Sequence, residues 1–465
     1  MNSKYYLSLL LISSLVLIAF IGIAFNRELN PEWKRYQTEY KEFLVKNATD
    51  DSTRERAEKI DIGMKQVYIK SLKRSDRCVS CHRGVENPLM ADAEQPFRQH
   101  SGNYLENHPV ASFGCTACHS GQGRAMNTRE AHGEEHTHWD FPIIPSQYIQ
   151  GACAQCHDYE MLRKEGGEKV AQGEKLFSEK GCRGCHKVDG KGGDLGKDIA
   201  GMGSRPFAYF SMKHVVGDHN LYNWIMQHFE NPRKVVPDSD MRAFLTSEEA
   251  ELLTNYMLTF RNEEMPRNYT LIKNIILPKT DGESLYRMYC VACHTDGKES
   301  IYDEIFERTI PAIMNPAFLK SIEDDYLRKI IKEGRKGTQM TAWKTNAAGL
   351  TDEEVDEITK YITRNRPAER PQHFRYKRFG TDAGKGEELY KLRCALCHGD
   401  KGKGGKRLLG MNLVFKDTDP EFLAITVRDG REGTPMVAFG KKGVGLKDQE
   451  ISDVVAYLTK LSRNK

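Results

Sequence analysis

The chain has 465 residues, enough for about three or four domains of ordinary size. Hydrophobic residues make up 39% and charged residues 29%, which points to a largely soluble chain with modest cores. The formal charge is only +4 and no basic run is interleaved with aromatics, so the sequence gives no support to a nucleic-acid-binding role.

The first predicted element is an apolar helix. From Tyr5 to Phe25 the chain carries no charge and is dominated by Leu, Ile, Val and Phe. That run is long enough to cross a hydrocarbon core of about 30 Å. Gly22-Ile23-Ala24 would pass as a cleavage site, but the apolar stretch of a signal peptide spans about 7–15 residues, so an uncleaved anchor in residues 1–30 is expected. With Lys4 on the cytoplasmic side, the rest of the chain lies outside. Residues 31–76 form a polar connector. Trp33, Tyr36, Tyr40 and Phe43 mark an amphipathic helix, with Trp33 and Tyr36 placed either as interfacial anchors or to pack on the region that follows.

Beyond residue 77 one pattern dominates: Cys-x-x-Cys-His, six times. The copies are Cys78, Cys81, His82; Cys115, Cys118, His119; Cys153, Cys156, His157; Cys182, Cys185, His186; Cys290, Cys293, His294; and Cys394, Cys397, His398, and they use all 12 cysteines. A redox dithiol, a zinc ribbon or a disulfide framework gives no reason for a histidine after every second cysteine. Covalent haem attachment does: the thiols add across the haem vinyl groups and the histidine ligates the iron. The expected cofactor is six covalently attached c-type haems, whose propionates would more than cancel the positive charge of the polypeptide. Such attachment takes place on the outer side of the membrane, in agreement with the predicted topology.

Three motifs fall within residues 77–165, too little chain for three ordinary cytochrome folds. This triheme region is expected to be packed around haem and poor in regular structure. Three second axial ligands are needed. His100, His108, His132 and His138 are the candidates; His136, beside Glu134 and Glu135, reads as solvated, and Met90 and Met126 are weaker alternatives.

From residue 166 the chain repeats. Gly173-Glu-Lys-Leu-Phe177, Gly282-Glu-Ser-Leu-Tyr286 and Gly386-Glu-Glu-Leu-Tyr390 each precede a haem motif and predict a helix with an apolar face toward haem. Leu245-Thr246-Ser247-Glu248-Glu249, Leu350-Thr351-Asp352-Glu353-Glu354 and Leu446-Lys447-Asp448-Gln449-Glu450 start closing helices that run to Tyr256, Tyr361 and Tyr457. Before each closing helix lies a methionine, Met241, Met340 or Met436, as the expected iron ligand. His214, His219 and His228 remain alternatives in the first unit, read as surface or packing residues or as contacts to a neighbouring haem. Met202, Met212, Met226, Met314 and Met411 fit the ligand position less well. The units are 166–264, 279–366 and 380–465.

On these motifs the C-terminal part resembles three tandem class I cytochrome c domains. Asn107-His108-Pro109, Phe113-Gly114-Cys115, Gly121-Gln122-Gly123, Ala131-His132-Gly133 and His138-Trp139 give the N-terminal part a resemblance to the triheme segment of multihaem subunits of bacterial bc-type quinol oxidoreductases. The expected fold class is mainly α: one transmembrane helix, a haem-packed triheme region, and three small all-α domains. The resemblance implies a relay from a membrane quinol-oxidising partner, cytochrome b-like, to a soluble carrier or terminal reductase on the periplasmic side. A haem enzyme reducing peroxide or nitrogen oxides, or a quinol dehydrogenase of the NapC/NirT kind, is the alternative. The haem enzyme needs an open iron position, whereas the sequence offers a second ligand for every haem, and the NapC/NirT cluster carries four haems.

Overall fold

The computed structural model describes residues 3–134, 139–242, 245–261, 280–335, 337–369, 371, 373–374, 376, 380–404, 410–414 and 419–463. The fold is mainly α. Among the described residues, strand is confined to two antiparallel hairpins, β1 (Val67–Ile69) with β2 (Arg74–Asp76), and β3 (Ile301–Asp303) with β4 (Arg308–Ile310).

Helix α1 (Ser3–Leu29) has 27 residues, about 40 Å at 1.5 Å per residue. Its apolar side chains are exposed along its length, and it is long and apolar enough to cross a membrane. Pro31, which is extended, separates it from α2 (Glu32–Lys46). The inner face of α2 is fixed by polar contacts. Gln37 is buried; its Nε2 donates to the carbonyls of Gly63 and Ser80 at 3.0 and 2.9 Å, and its Oε1 accepts from Gly63 N at 2.9 Å. Glu32 accepts from the backbone and hydroxyl of Thr128, both at 2.9 Å, and Tyr36 stands edge-on to Phe97. The structure shows this helix packed on the following region, which ties α1 to the first Cys-x-x-Cys-His motifs.

Between residues 77 and 165 helices are no longer than six residues, so side chains rather than secondary structure organise the region. After it come three helical units. The first has α3 (Glu168–Glu179), α4 (Leu221–Glu230) and α5 (Ser247–Met257); the second α6 (Gly282–Tyr289), α7 (Asp324–Glu333) and α8 (Asp352–Thr363); the third α9 (Ala383–Arg393), α10 (Pro420–Asp429) and α11 (Asp448–Arg463). In each unit the first helix crosses the last at the glycine of the repeated motif. A Cβ on Gly173 would meet the Leu252 carbonyl, on Gly282 the Glu357 carbonyl, and on Gly386 the Asp453 carbonyl. One turn later an aromatic pair closes the crossing: Phe177–Tyr256 at 5.3 Å, Tyr286–Tyr361 at 5.4 Å and Tyr390–Tyr457 at 5.4 Å between centroids.

The closing helices start as their sequences predict. Thr246 with Glu249, and Thr351 with Glu354, form reciprocal capping boxes. In the third unit Lys447 replaces the threonine, and the Glu450 carboxylate accepting from Lys447 N at 2.7 Å is the half that remains. Each unit has its own apolar core, built on fully buried leucines such as Leu253, Leu350 and Leu458, each worth about 1.5–3 kcal/mol. The first core also takes in Ile144, Tyr148, Ala152 and Leu162, so the third haem motif is packed into the first helical unit.

Candidate functional site

All six Cys-x-x-Cys-His segments wind into one helical turn. In each, the histidine backbone N–H donates to the carbonyl of the first cysteine, at 2.9–3.1 Å. That turn brings two thiols and an imidazole together. All twelve thiols are free of disulfides. Burial pushes the Cys182 and Cys290 thiols up to about 12, so these two are protonated thiols and not the activated thiolates of a redox or nucleophilic site.

The motif imidazoles of the three helical units are oriented by backbone, and His157 Nδ1 lies 3.0 Å from the Met161 sulfur. His186 Nδ1 lies 2.7 Å from the Lys197 carbonyl, His294 Nδ1 3.4 Å from that of Pro311, and His398 Nδ1 2.9 Å from that of Met411. Such a partner holds the proton on Nδ1 and leaves Nε2 free to ligate. Burial pushes all six imidazoles down, His294 to about 4, which keeps them in the neutral, ligating form. The loop returning over His186 passes at Gly196, where a Cβ would collide with the ring, and Gly410 serves His398 in the same way. The residue after the histidine turns to positive φ in three motifs, at Ser120 (58°), Thr295 (45°) and Gly399 (74°). For the β-branched Thr295 that conformation costs about 1–3 kcal/mol.

In the N-terminal region the structure sorts the surplus histidines. His132 faces His82 with ring centroids 6.3 Å apart, His100 faces His119 at 6.1 Å, and His108 faces His157 at 5.8 Å. Two imidazoles joined through one metal, with metal–nitrogen bonds of about 2 Å, have centroids roughly 6 Å apart. His100 and His108 turn Nδ1 toward the carbonyls of Ser101 and Tyr104, at 2.8 and 2.9 Å, again leaving Nε2 free. His136 and His138 lie outside the described residues. Met90 is fully buried in packing, and Met126 is exposed.

In the helical units Met340 and Met436 line one chamber of about 630 Å³ together with His294 and His398 and the four cysteines of the last two motifs. Met241 packs on the same core cluster as Cys182. His214 and His219 are exposed. His228 is stacked flat on Trp224 at 4.7 Å and lies close enough to His186 to feel its charge, burial being the larger reason for its pKa of about 4. Sequence reading had no means of separating it from the other two histidines of this unit; its half-buried place on α4 does.

Successive motifs are neighbours or share a core or chamber. Cys78 and Cys115 share the buried Asp76, their ligand atoms within 4.8 Å of one another. These three donors do not read as a separate metal centre, because Asp76 accepts backbone N–H groups from Cys78, Cys115 and Thr116 at 3.1, 2.7 and 2.8 Å. Cys118 has Cys153 and Cys156 as electrostatic neighbours. Cys153 and Cys182 pack on one core. Cys185 and Cys293 are hydrogen-bonded across the first and second units, beside the buried Arg242–Asp303 ion pair. The donor sets, the free thiols and the shared chamber all fit covalently bound haem.

Comparison with known proteins gives the same reading. Residues 170–261 match the cytochrome c family, and residues 278–362 and 381–458 match the family described as cytochrome c oxidase, cbb3-type, subunit III. The chain carries cytochrome c domains. These domains imply covalently bound c-type haem and a role in electron transport. Among curated relatives, the cbb3-type cytochrome c oxidase subunit CcoP of Azospirillum sp. (strain B510) is 27% identical over 208 residues, covering 40% of this cytochrome and 62% of that protein. The cbb3-type subunit FixP of Bradyrhizobium diazoefficiens is 25% identical over 170 residues, covering 34% and 54%. The chain thus spans less than two-thirds of either relative's length. A solved reducing HAO-like protein complex of Kuenenia stuttgartiensis is 20% identical and covers 39% of this chain and 94% of that one, at a TM-score of 0.28, too low a likeness to build on.

Proposed function

We propose that this is a hexahaem, membrane-anchored c-type cytochrome that relays electrons from a membrane quinol-oxidising partner of the bc type to an acceptor on the periplasmic side. The observation that carries the reading is that each attachment motif neighbours the next or shares a core or chamber with it, in chain order from Cys78 to Cys397. Haem, when bound, supplies reversible one-electron chemistry. The chain does the rest. His82, His119, His157, His186, His294 and His398 would each supply one iron ligand. His132, His100 and His108 would supply the second ligand to the first three, and Met241, Met340 and Met436 to the last three. The cysteine pairs fix each haem edge, and Asp76 and the Arg242–Asp303 pair hold neighbouring sites at fixed separation. Residues 77–165 form the triheme region, and 166–264, 279–366 and 380–465 three domains of the class I kind.

A second ligand stands ready at every iron, which supports transfer over catalysis. The names of the two oxidase-subunit relatives support a second reading of the acceptor, a terminal oxidase in the same membrane in place of a soluble carrier or reductase. Purification in mild detergent with subunit identification tests both. A cytochrome b-like partner supports quinol oxidation at the donor end, co-purification with a haem–copper oxidase supports the second reading, and a monomer with fewer than six haems by pyridine haemochrome assay would remove the proposal.

A further inference from the structure

The chamber shared by the last two motifs has an unbalanced lining. Among the described residues it presents the cations Arg308, Arg335, Arg393, Lys403 and Arg431 against a single carboxylate, Asp303. That carboxylate is already engaged by Arg242 and by the N–H groups of Ile305 and Phe306, both at 3.0 Å. Arg431 is the most telling of the cations. Its Nε is fully buried without a hydrogen-bond partner, its Nη1 reaches the Met411 sulfur at 3.9 Å, and its guanidinium lies over the Phe318 and Phe422 rings at 5.1 and 5.8 Å. Burial and then the neighbouring Arg335 charge push its pKa down to about 10. A buried cation with a second cation among its neighbours favours an anion that enters the site.

The two arginines occupy equivalent places. In Gly334-Arg335-x-Gly-Thr338-x-Met340 and Gly430-Arg431-x-Gly-Thr434-x-Met436, the arginine N–H donates to the methionine carbonyl at 2.8 Å, and the threonine N–H returns to the arginine carbonyl at 3.0–3.1 Å. Gly334 and Gly430 sit at φ of 65° and 68°, where a Cβ would strike the same loop. Each loop therefore ties the backbone of its arginine to that of its methionine, and both side chains line the chamber. Among the described residues the first unit has no counterpart in that loop: Arg233 donates from an exposed position to the Ser239 carbonyl.

Resting on the reading that these two motifs bind haem, we propose that Arg335 and Arg431 form a paired carboxylate clamp for the haem propionates of the last two sites. Haems joined through their vinyl groups to these cysteine pairs would leave their propionate carboxylates free to enter the chamber. Bidentate guanidinium–carboxylate bonds would both neutralise the arginines and keep the two haems in register.

The test is spectroelectrochemical titration of the full-length protein in detergent, with haem content measured alongside. Arg335→Gln and Arg431→Gln should each move one high-potential component downward while all haems are retained, because a positive charge beside the iron is lost. Arg431→Lys should hold its component near the wild-type position, and Arg233→Gln should move nothing. Three results would overturn the clamp: unmoved potentials in both glutamine variants with haem retained; equal falls in the lysine and glutamine variants together with loss of the methionine–iron band, which would mean a loop-supporting role; or wild-type potentials that follow chloride or phosphate concentration, which would make the anion a solvent ion. A wild-type protein lacking haem at these motifs would instead remove the reading on which the clamp rests.

Discussion

Asp76 shows how much one side chain can hold. Its carboxylate terminates β2 and accepts from the backbones of Cys78, Cys115 and Thr116, so a single residue joins the first two haem motifs. Burial alone would raise its pKa, but the N–H groups of Thr116, Cys115 and Cys78 outweigh it and hold the group below the usual carboxylate range. Asp76→Ala strands those donors and is expected to cost at least about 1–3 kcal/mol, read as a lower denaturant midpoint. Because the folded pKa is depressed, the stabilisation is present above the unfolded value and lost as pH falls through the folded one. The gap between wild type and variant should close in strong acid; a constant gap would refute the account. The surplus histidines make a second case at this scale. The sequence offered five of them and no pairing, because His132, which follows the second motif, folds back onto the first, and only tertiary structure reports that. His100→Ala, His108→Ala and His132→Ala should each open one site, so that the reduced protein binds about one equivalent of carbon monoxide where wild type binds none appreciably. Binding unchanged in all three would return the pairing to open status.

The crossings of α3 with α5, α6 with α8 and α9 with α11 were the most legible elements in the chain. The glycine, the aromatic four residues later and the distant tyrosine recur at matching positions because one geometric demand repeats: two backbones meet where no Cβ fits. Gly282→Ala and Gly386→Ala should therefore destabilise their units by about 1–3 kcal/mol through overpacking, seen as a lower unfolding temperature with haem still attached. Equal stability of both variants would mean that the crossings relax freely. Other features of the same units left no trace in the sequence. Thr295 at positive φ follows no residue rule, since a β-branched side chain is the last one expected there, and its conformation is imposed by the turn that delivers His294. The merging of the third motif into the first helical core was equally hidden, because Tyr148 and Leu162 belong by sequence to a region without periodic pattern.

At the scale of the whole molecule the order of sites becomes an argument about direction. Docking of α2 through Glu32 and Gln37 places the imidazole-paired sites next to the membrane helix in the chain, with the methionine-bearing units following. Paired imidazoles leave iron at lower potential than imidazole with thioether, so with the proposed ligands this order would favour flow from the N-terminal sites toward the C-terminal units. The apolar run and the methionine loops were legible in the sequence. The contacts between successive motifs were not, since Cys185 and Cys293 are far apart in the chain and are brought together where Arg242 on the first unit reaches the Ala292 carbonyl at 3.0 Å and pairs with Asp303 on the second. Redox titration is expected to resolve a low and a high group. Replacing Met241, Met340 or Met436 by histidine should transfer one component each from the high group to the low one, with the triheme components unmoved. In rapid-mixing reduction by a low-potential donor, the low group should then fill at the wild-type rate while electrons reach the altered unit less completely. Three methionine variants with wild-type titrations would show that the thioethers do not set the high potentials, and the downhill order would have to be abandoned.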